Sequence, residues 1–348
     1  MPTDLQRVTH HVARRDSGIP TWGLALAAGA IGLALASIPR HRYRFADKVV
    51  LITGGSRGLG LVLARQLASQ GAMVALMARD ASELARARQT IPSGSFVQLL
   101  AGDVTVPSQV EQAVNTLVRQ TGRIDVVINN AGQILSAPFD DTTDADFRAM
   151  LDVHLWGTLN VTRAALPHLA RHGDARVINI CSIGSRIPVP HLSAYCASKF
   201  AQAGLSGVMA EELRDKGVHV TTVLPGLMRT GSHVQAWFKG NHAQEFALFS
   251  LVGSLPGTSM SAERAARTIL DAAARGRMEV VLPFTVRQIA RAVSLFPNYS
   301  QRAMSAVNHF LPGPGSKFAL QGRHMELNPA VQAAIGLNER AADRNNQR

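Results

Sequence analysis

The chain has 348 residues, of which 46% are hydrophobic and 17% are charged, and its formal net charge is +12. This apolar fraction excludes wholesale disorder, and the length allows two average domains or one large α/β domain with extensions. The two cysteines exclude a disulfide framework and a cysteine-rich zinc site. We therefore predict no metal centre, and the low cysteine count fits a reducing compartment.

The positive charge is concentrated at the two ends of the chain. Residues 1–46 carry a net charge of +4, residues 47–261 one of +2, and residues 262–348 one of +6. A nucleic-acid reader would concentrate its charge on a recognition element, so basic ends around a nearly neutral middle favour an anionic membrane surface as partner. The alternative is that the positive charge reflects only a general preference for arginine over lysine, since only five lysines occur.

A stretch without charge, residues 21–38, lies near the N-terminus between basic residues. It is at the short end of what spans a bilayer. A membrane anchor is the first interpretation, a signal peptide cleaved near Ala34-Leu35-Ala36 is the second, and a buried or interfacial helix is the third. The flanking charges slightly favour a main domain in the cytoplasm. The alternative is a soluble cytoplasmic protein.

Short apolar runs alternate with helical patterns from residue 46 onward. This alternation predicts an α/β fold with a mostly parallel sheet and helices on both faces. The helical patterns cover residues 59–70, 81–89, 108–121, 144–171 and 193–215. The apolar runs are KVVLIT (48–53), MVALM (73–77), FVQLLAGDV (96–104), IDVVINNAG (124–132), RVINICS (176–182) and VHVTTVLPG (218–226), with MEVVLP (278–283) as a candidate seventh strand.

These patterns divide the chain into an extension (1–45), a main domain (46–283) and a basic C-terminal extension (284–348). A segment at 227–261 interrupts the alternation and is the expected substrate lid. Its aromatic residues either line the substrate entrance or pack against the core. The basic amphipathic stretch at 285–296 lies either on a membrane interface or against the domain. The polar residues from about 335 onward are expected to be frayed.

A glycine-rich turn follows the first predicted strand, in Thr53-Gly54-Gly55-Ser56-Arg57-Gly58-Leu59-Gly60. Glycines let the backbone turn sharply and approach a diphosphate. The N-terminus of the following helix offers that anion N–H groups and a partial positive charge. The spacing is G-x3-G-x-G rather than G-x-G-x-x-G. Its place at the first strand-to-helix junction of an α/β pattern predicts a dinucleotide site.

The residue type at the end of the second strand distinguishes an NAD site from an NADP site. NAD sites place an acidic residue there to bond the ribose 2′-hydroxyl, whereas this strand ends in Met77-Ala78-Arg79-Asp80. Arg79 and Arg57 offer two guanidinium groups that suit a 2′-phosphate. We predict NADP(H) over NAD(H). The alternative is that Arg79 is only a solvated residue at the helix entry and Asp80 only an N-cap.

A tyrosine and a lysine lie four residues apart in SAYCASK (193–199), so Tyr195 and Lys199 share one face of a helix. An ammonium group beside a phenol favours the phenolate and lowers the pKa of the tyrosine. Such a pair can exchange a proton with an alcohol or a carbonyl. Ser182 ends the preceding strand, where the ends of parallel strands line the cofactor crevice. It is therefore placed to polarise a substrate oxygen.

Six short segments follow one another along the chain: TGGSRGLG (53–60), Asp103-Val104, NNAG (129–132), INICS (178–182), YCASK (195–199) and PGLMRT (225–230). In order and spacing they resemble the motifs of the short-chain dehydrogenase/reductase family, over about residues 46–283. The resemblance implies a single-domain, Rossmann-type doubly wound parallel sheet of seven strands. It also implies reversible hydride transfer between the nicotinamide C4 and a substrate alcohol or carbonyl carbon.

The resemblance also implies a role for each matching residue. Tyr195 is the general acid/base, Lys199 lowers its pKa and holds the nicotinamide ribose, and Ser182 orients and polarises the substrate oxygen. The implied cofactor-binding residues, besides Tyr195 and Lys199, are Thr53, Gly54, Ser56, Gly58, Leu59 and Gly60 in the turn, Asp103 at the adenine amine with Val104 beside it, Asn130, Ala131 and Gly132 beneath the cofactor, Pro225 and Gly226 beside the nicotinamide, and Thr230 toward the carboxamide or diphosphate. Arg57 and Arg79 join this set through the charge argument for the 2′-phosphate.

One position departs from the family pattern. His154, in LDVHLWGT (151–158), aligns with an Asn that in many members bends the long helix and holds a water in a proton relay from the lysine. We expect His154 either to anchor that water through a ring nitrogen and titrate near neutrality, or to break the relay. Cys181 and Cys196 flank catalytic residues and are expected to be small packing residues.

These features together predict an oxidoreductase that uses NADP(H) on an apolar, lipid-like alcohol or ketone at a membrane. The alternative is a non-catalytic NADP(H)-binding sensor or scaffold, which His154 alone supports. Nucleic-acid binding rests on the charge only and is not expected. By resemblance, the helices at 144–171 and 193–215 pair between subunits, which implies a homodimer or homotetramer.

Overall fold

A parallel sheet forms the centre of the molecule in a computed structural model, which describes residues 42–254, 259–326 and 329–348. The described strands are β1 (Val49–Thr53), β2 (Met73–Ala78), β3 (Val97–Ala101), β4 (Val126–Asn129), β5 (Leu135–Ser136), β6 (Ala175–Ile180), β7 (Val218–Pro225), β8 (Leu227–Arg229), β9 (Trp237–Gly240), β10 (Ser259–Ser261), β11 (Glu279–Leu282) and β12 (Ser316–Gln321). The predicted anchor at 21–38 lies outside the described residues.

Seven of these strands make the central sheet, in the order β11-β7-β6-β4-β1-β2-β3, with every neighbouring pair parallel. The prediction of a doubly wound, Rossmann-type sheet is confirmed, and the candidate seventh strand is β11. The strand order reverses beside β1, which pairs with both β2 and β4. A crevice at the carboxyl ends of these strands is where such sheets bind their ligands.

Helices cover both faces of the sheet. They are α1 (Gly58–Ala68), α2 (Ala81–Gln89), α3 (Pro107–Thr121), α4 (Asp144–Leu151), α5 (Gly157–Leu169), α6 (Ser193–Glu212), α7 (His242–Ser254), α8 (Ala262–Ala274), α9 (Phe284–Leu295), α10 (Pro297–His309), α11 (Pro329–Ala334) and α12 (Gly336–Arg344). Among the described helices, none is long and apolar enough to cross a membrane.

The core has two halves because side chains of a strand point alternately to the two faces of a sheet. Val50 and Ile52 of β1 belong to the half under α1, α2 and α8, whereas Val49 and Leu51 belong to the half under α3, α5 and α6. All four side chains are fully buried. Burial of each such side chain contributes roughly 1.5–3 kcal/mol, so β1 is firmly held between the two layers.

The predicted long helix at 144–171 is interrupted in the structure. Five residues, Asp152–Trp156, form a π-helical turn between α4 and α5, and His154 lies at its middle. Single π-turns of this kind are frequent at functional sites. Gly157 starts α5, where an added Cβ would lie 2.7 Å from a methyl carbon of Val104. The interruption therefore brings the helix against the loop that follows β3.

Two small sheets lie outside the central one. Strands β8 and β10 pair in parallel, and β5, β9 and β12 form a three-stranded sheet. The predicted lid at 227–261 contains β8, β9, α7 and β10. Its described part is therefore built from regular elements.

The polar end of the chain packs onto the domain. Residues 336–344 form α12, Ile335 and Ala342 are fully buried, and Asn345 and Gln347 are buried after the helix. The expectation of frayed residues from about 335 was wrong, because apolar positions at helical spacing dock α12 beside β8 and α7. In this region a would-be Cβ of Gly231 lies 2.3 Å from the Ala342 Cα.

Candidate active site

Ser182 and Tyr195 meet at the carboxyl edge of the central sheet. Ser182 follows β6, and its Oγ accepts a hydrogen bond from the Gly184 N–H at 3.0 Å, which fixes the side chain. The Tyr195 side chain, near the start of α6, is hydrogen-bonded to Ser182. Burial raises the pKa of Tyr195 to about 12. The phenol therefore holds its proton at neutral pH.

Lys199 lies one helical turn after Tyr195 and is buried. Its Nζ donates to the Ile180 carbonyl oxygen at 3.0 Å and lies 5.8 Å from the centre of the Tyr195 ring. Burial lowers the pKa of Lys199 to about 8, because a charged amine is costly away from water. The sequence argument expected this lysine to lower the tyrosine pKa. In the structure, burial of the phenol dominates and raises it.

Gln202 is a site residue that the sequence analysis missed. Its Oε1 accepts a hydrogen bond from the Lys199 Nζ at 2.9 Å, and its Nε2 donates to the Thr158 Oγ1 at 2.9 Å. Gln202 is fully buried, one helical turn beyond Lys199 and on the same face of α6. The spacing of three residues was visible in the sequence. Nothing there distinguished this amide from an ordinary helical glutamine.

His154 does not titrate near neutrality, contrary to one of the two expectations. It is fully buried, and this burial, with nearby Lys199, holds its pKa well below the usual value. Its Nε2 accepts from the Gln133 N–H at 3.3 Å, so Nδ1 carries the proton and donates to the Ser198 Oγ at 2.8 Å. Ser198 in turn donates to the Tyr195 carbonyl oxygen at 2.8 Å.

Both ring nitrogens of His154 are therefore bonded to protein atoms, and neither is left to anchor a relay water. The ring also packs edge-on against the Tyr195 ring, with 5.6 Å between centres. An added Cβ on Gly132 would lie 2.9 Å from the His154 Nε2, so this glycine admits the imidazole. His154 thus stabilises the first turn of α6 through its bond to Ser198 and its contact with the Tyr195 ring.

The glycine turn between β1 and α1 is tightly folded. Gly54 has φ of +61°, and an added Cβ there would lie 2.9 Å from the Ala131 Cα. An added Cβ on Gly60 would lie 2.2 Å from the Gly54 carbonyl oxygen. Side chains at either position would break the packing. The turn thus presents bare backbone at the N-terminus of α1, which suits a diphosphate.

Asn130 ties this turn to the end of β4. Its Nδ2 donates to the carbonyl oxygens of Thr53 and Gly54, each at 3.1 Å. The Thr53 Oγ1 accepts from the backbone N–H groups of Asn130 and Ala131, at 3.0 and 3.1 Å. These bonds fix the floor of the crevice on the side where the resemblance places the cofactor.

The comparisons with known proteins agree with this geometry. The family model for the short chain dehydrogenase matches residues 48–239, more than half of the chain. The putative oxidoreductase SadH of Mycobacterium tuberculosis is 32% identical over 273 residues, covering 77% of this chain and 98% of SadH. The chain belongs to the short-chain dehydrogenase family. It is accordingly an oxidoreductase of that kind, with homologues that act on alcohol and carbonyl groups.

Two further members show the range of the family. A 3-ketodihydrosphingosine reductase of Bacteroides thetaiotaomicron is 34% identical over 185 residues, or 53% of this chain and 65% of the relative. A crystal structure of a gluconate 5-dehydrogenase from Burkholderia cenocepacia, in complex with NADP and tartrate, has a TM-score of 0.62 and 26% identity. It covers 72% of this chain and 99% of the neighbour. Short-chain dehydrogenases that resemble this one thus differ widely in substrate.

The side of the crevice where the resemblance to the family places the adenosine holds both predicted cations of this short-chain dehydrogenase, each beside an acid. Arg57 forms an ion pair with Glu83 at 2.6 Å, and the Arg79 guanidinium lies 3.9 Å from the Asp103 carboxylate. Asp80 is the N-cap of α2, because its carboxylate accepts hydrogen bonds from N–H groups of the first helical turn. This is the role that the alternative interpretation gave to Asp80. A cavity of about 290 Å³ opens here, lined by Arg79, Ala101, Gly102, Asp103 and Gln109.

The residues after β7 form the side of the crevice where the resemblance places the nicotinamide. An added Cβ on Gly226 would lie 2.7 Å from a methyl carbon of Val286, so α9 begins directly against the site. Pro225 ends β7 and pairs with Leu282. Thr230 is buried, and its Oγ1 accepts from the Ser232 N–H at 3.3 Å.

The lid aromatics form a small core of their own. Phe238 and Phe246 are buried, their rings pack edge-on at 5.3 Å, and Phe249 packs against Phe238. Of the two alternatives left open by the sequence, core packing describes these three side chains.

Cys181 and Cys196 are buried as expected, and burial raises both thiol pKa values.

Proposed function

We propose that this short-chain dehydrogenase transfers a hydride between NADP(H) and an alcohol or carbonyl carbon of an apolar substrate. The observation that carries the proposal is the hydrogen-bonded pair of Ser182 and Tyr195, with the buried Lys199 amine behind it, at the sheet edge that also bears the glycine turn. A structural tyrosine would not need a fixed serine hydroxyl and a buried amine around it.

The reaction needs a proton that matches the hydride. The nicotinamide, when bound, supplies or accepts the hydride. In reduction the Tyr195 hydroxyl gives its proton to the substrate oxygen, and in oxidation the phenolate takes that proton back. Ser182 accepts from the Gly184 N–H and keeps its own hydrogen to donate to the same oxygen. The positive charge of Lys199 stabilises the phenolate that reduction leaves behind.

The preference for NADP(H) is supported by the end of β2. That strand ends at Ala78, so no acid stands where an NAD site needs one, and the Arg79 side chain is 70% exposed beside the cavity at Asp103. The Arg57 guanidinium is already paired with Glu83, so a 2′-phosphate would have to share it with that carboxylate. The gluconate 5-dehydrogenase neighbour was solved with NADP.

An apolar substrate is supported by the surface that begins at Val286. From there α9 and α10 lead to exposed large side chains, among them Leu295, Phe296 and Phe310. Their helices bear arginines, and the sequence has no acidic residue from 280 to 325. An apolar face with basic residues fits an anionic lipid surface, so we propose membrane association through α9 and α10. The ketodihydrosphingosine reductase among the relatives is named for a lipid substrate.

Replacement of Tyr195 by Phe tests the catalytic assignment. We expect the rate of NADPH-dependent reduction of long-chain ketones to fall by roughly 10²–10⁴, because the phenol is the proton donor. NADPH absorbance gives the rate, and fluorescence titration should show that the variant still binds NADPH. Tyr299→Phe, at an exposed tyrosine on α10, is the matched control and should keep full activity. NADPH binding without turnover by the unaltered protein would favour a sensor or scaffold instead.

Replacement of Arg79 by Ala tests the cofactor preference. Loss of a charge-assisted bond to the 2′-phosphate should weaken NADPH binding by roughly 10- to 100-fold and leave NADH binding unchanged. Arg119→Ala, at an exposed arginine of α3, serves as control. Equal losses for both dinucleotides would show that Arg79 does not read the phosphate.

A further inference from the structure

The last residues of the chain lie on the glycine turn. The Asn345 carbonyl oxygen accepts a hydrogen bond from the Gly58 N–H at 2.9 Å. The Gln347 Nε2 lies 2.8 Å from the position that a Cβ on Gly58 would occupy. Gly58 starts α1, and its N–H belongs to the set that the resemblance assigns to the diphosphate. A chain carbonyl and an amide therefore stand where a diphosphate would approach.

The same segment covers the adenosine side of the turn. The Asn346 Nδ2 donates to the Ser56 carbonyl oxygen at 2.8 Å and to the Glu83 carbonyl oxygen at 3.1 Å. Its Oδ1 accepts from the Arg86 Nε at 3.2 Å. Asn346 thus bridges the glycine turn and α2, at the place where the ribose and its 2′-phosphate are expected.

At the other end, the segment reaches the nicotinamide side. The Gln347 Nε2 donates to the Thr230 carbonyl oxygen at 3.3 Å, and the Gln235 side chain donates to the Gln347 carbonyl oxygen. Asn345 is 0% and Gln347 4% exposed. Residues 345–347 therefore run along the groove from Ser56 to Thr230, which are both predicted cofactor residues.

We propose that residues 345–347 are an intramolecular competitor of the dinucleotide: they occupy the diphosphate groove, and NADP(H) binds when they leave it. This inference rests on the proposed function, because it needs a dinucleotide as the other occupant. The Gly58 N–H makes its hydrogen bond either to Asn345 or to a phosphate oxygen. The two occupants therefore exclude one another.

An anion can displace the docked residues 345–347, because their hydrogen bonding is incomplete. Their docking leaves two buried polar atoms without a hydrogen-bond partner within the described part of the chain, the Asn345 Nδ2 and the Gln347 Oε1. A phosphate brings a negative charge to the positive end of α1, whereas Asn345 brings only a neutral carbonyl.

The movement can be confined to the last few residues because α12 is anchored independently. The Asn338 Oδ1 accepts from the Gly231 N–H at 3.1 Å, and Glu339 bonds the His233 ring at 2.7 Å. Arg344 pairs with Glu263 at 3.0 Å. These contacts keep α12 in place, so the residues after Arg344 act as a strap on a fixed hinge.

The test uses the full chain with Asn346 and Gln347 both replaced by Ala, which removes the side-chain bonds of the strap. The apparent Kd of a site that is only partly open exceeds its intrinsic value by the reciprocal of the open fraction. We expect NADPH, titrated by fluorescence or calorimetry, to bind the double variant at least about fivefold more tightly than the unaltered protein. Gln332→Ala, at an exposed glutamine of α11, is the matched control and should bind like the unaltered protein.

Hydrogen exchange gives a readout that is independent of activity. Saturating NADPH should increase the exchange of the amides of residues 345–348 in the unaltered protein while it protects the glycine turn. Unchanged or weaker NADPH binding by the double variant, or a strap that stays protected beside bound NADPH, would overturn the competition and leave the proposed function intact. Failure of every variant to bind NADPH or NADH would overturn the proposed function itself.

Discussion

At the scale of single residues, the site depends on how a buried ammonium group is kept charged. Lys199 is surrounded by protein, and burial lowers its pKa to about 8. Two oxygens compensate for the lost water, the Ile180 carbonyl and the Gln202 Oε1. The backbone oxygen cannot be changed by substitution, but the amide can. Gln202 is therefore the position from which the charge of Lys199 can be adjusted.

We expect Gln202→Leu and Gln202→Glu to move the pH dependence of reduction in opposite directions. The lysine loses its charge as the pH rises through its pKa, so the rate should fall on the alkaline side of about 8. Leucine removes an acceptor, which lowers that pKa and shifts the alkaline limb of kcat/KM to lower pH. Glutamate adds a negative charge, which raises the pKa and shifts the limb to higher pH.

Each variant serves as the control for the other. Both disturb the bond to Thr158, and they differ in the direction in which they shift the pKa of Lys199. Alkaline limbs that shift in the same direction, or do not shift, would show that Gln202 only fills space. A loss of folding stability without a change in the limb would lead to the same conclusion.

Residue chemistry was predictable from the sequence where a motif combines several residue types. Ser182, Tyr195 and Lys199 were named in advance, and the structure brings them together. Gln202 and the bonding of His154 were not, because a buried amide or imidazole is recognised only by the partners that folding brings to it. Gln133, which fixes the His154 tautomer, lies 21 residues away in the chain.

At the scale of elements, α9 and α10 stand apart from the rest of the fold. Ala290 is the one buried residue of α9, and α10 has none. Leu295 and Phe310 are 73% and 84% exposed. A helix pair with so little buried surface cannot be held by the core alone, and its apolar side chains are costly in water. A partner surface would account for both features.

We expect replacement of Leu295, Phe296 and Phe310 by Ser to weaken binding to anionic lipid vesicles by at least about tenfold, since each side chain contributes burial free energy at the interface. Cosedimentation with vesicles of phosphatidylglycerol and phosphatidylcholine measures the partition. Phe139→Ser is the matched control, because this phenylalanine is 72% exposed but is followed by Asp140 and Asp141. Equal losses for both variants would contradict a specific role of α9 and α10.

Element boundaries were predicted well where the hydrophobic period is clear and badly where tertiary contacts decide. The amphipathic stretch at 285–296 corresponds to α9, and MEVVLP contains β11. The interruption of the long helix at Asp152–Trp156 was not visible in the hydrophobic pattern, and only the family resemblance, which places a helix bend at the position of His154, pointed to it. Its position depends on the packing of His154 and Gly157 against other elements.

At the scale of the whole molecule, the mostly parallel sheet followed from the alternating pattern, whereas the contact between the glycine turn and the residues after α12 did not. Gly58 and Asn345 are joined by a backbone hydrogen bond although they are far apart in the chain. The residues after α12 are polar and carry no hydrophobic period. Sequence reasoning therefore classifies them as solvated, and only the folded groove gives them a place.

The exposed face of α6 combines apolar side chains with glycines. Phe200, Gly204 and Val208 are exposed at intervals of four residues and therefore line one face. An added Cβ on Gly204 or Gly207 would meet no atom within 4 Å, so the backbone is open to close approach. The family resemblance implies pairing through this helix. We accordingly propose a homo-oligomer built on this face of α6.

Replacement of Val208 by Asp should dissociate this assembly, because a pair of carboxylates related by a two-fold axis would be buried without partners. Sedimentation velocity should show the change from dimer or tetramer to monomer at micromolar protein. Val307→Asp is the matched control, since Val307 is a comparably exposed valine on α10, outside the proposed interface. It should leave the sedimentation coefficient unchanged. An unaltered protein that already sediments as a monomer would refute the homo-oligomer, and dissociation by Val307→Asp alone would place the association elsewhere.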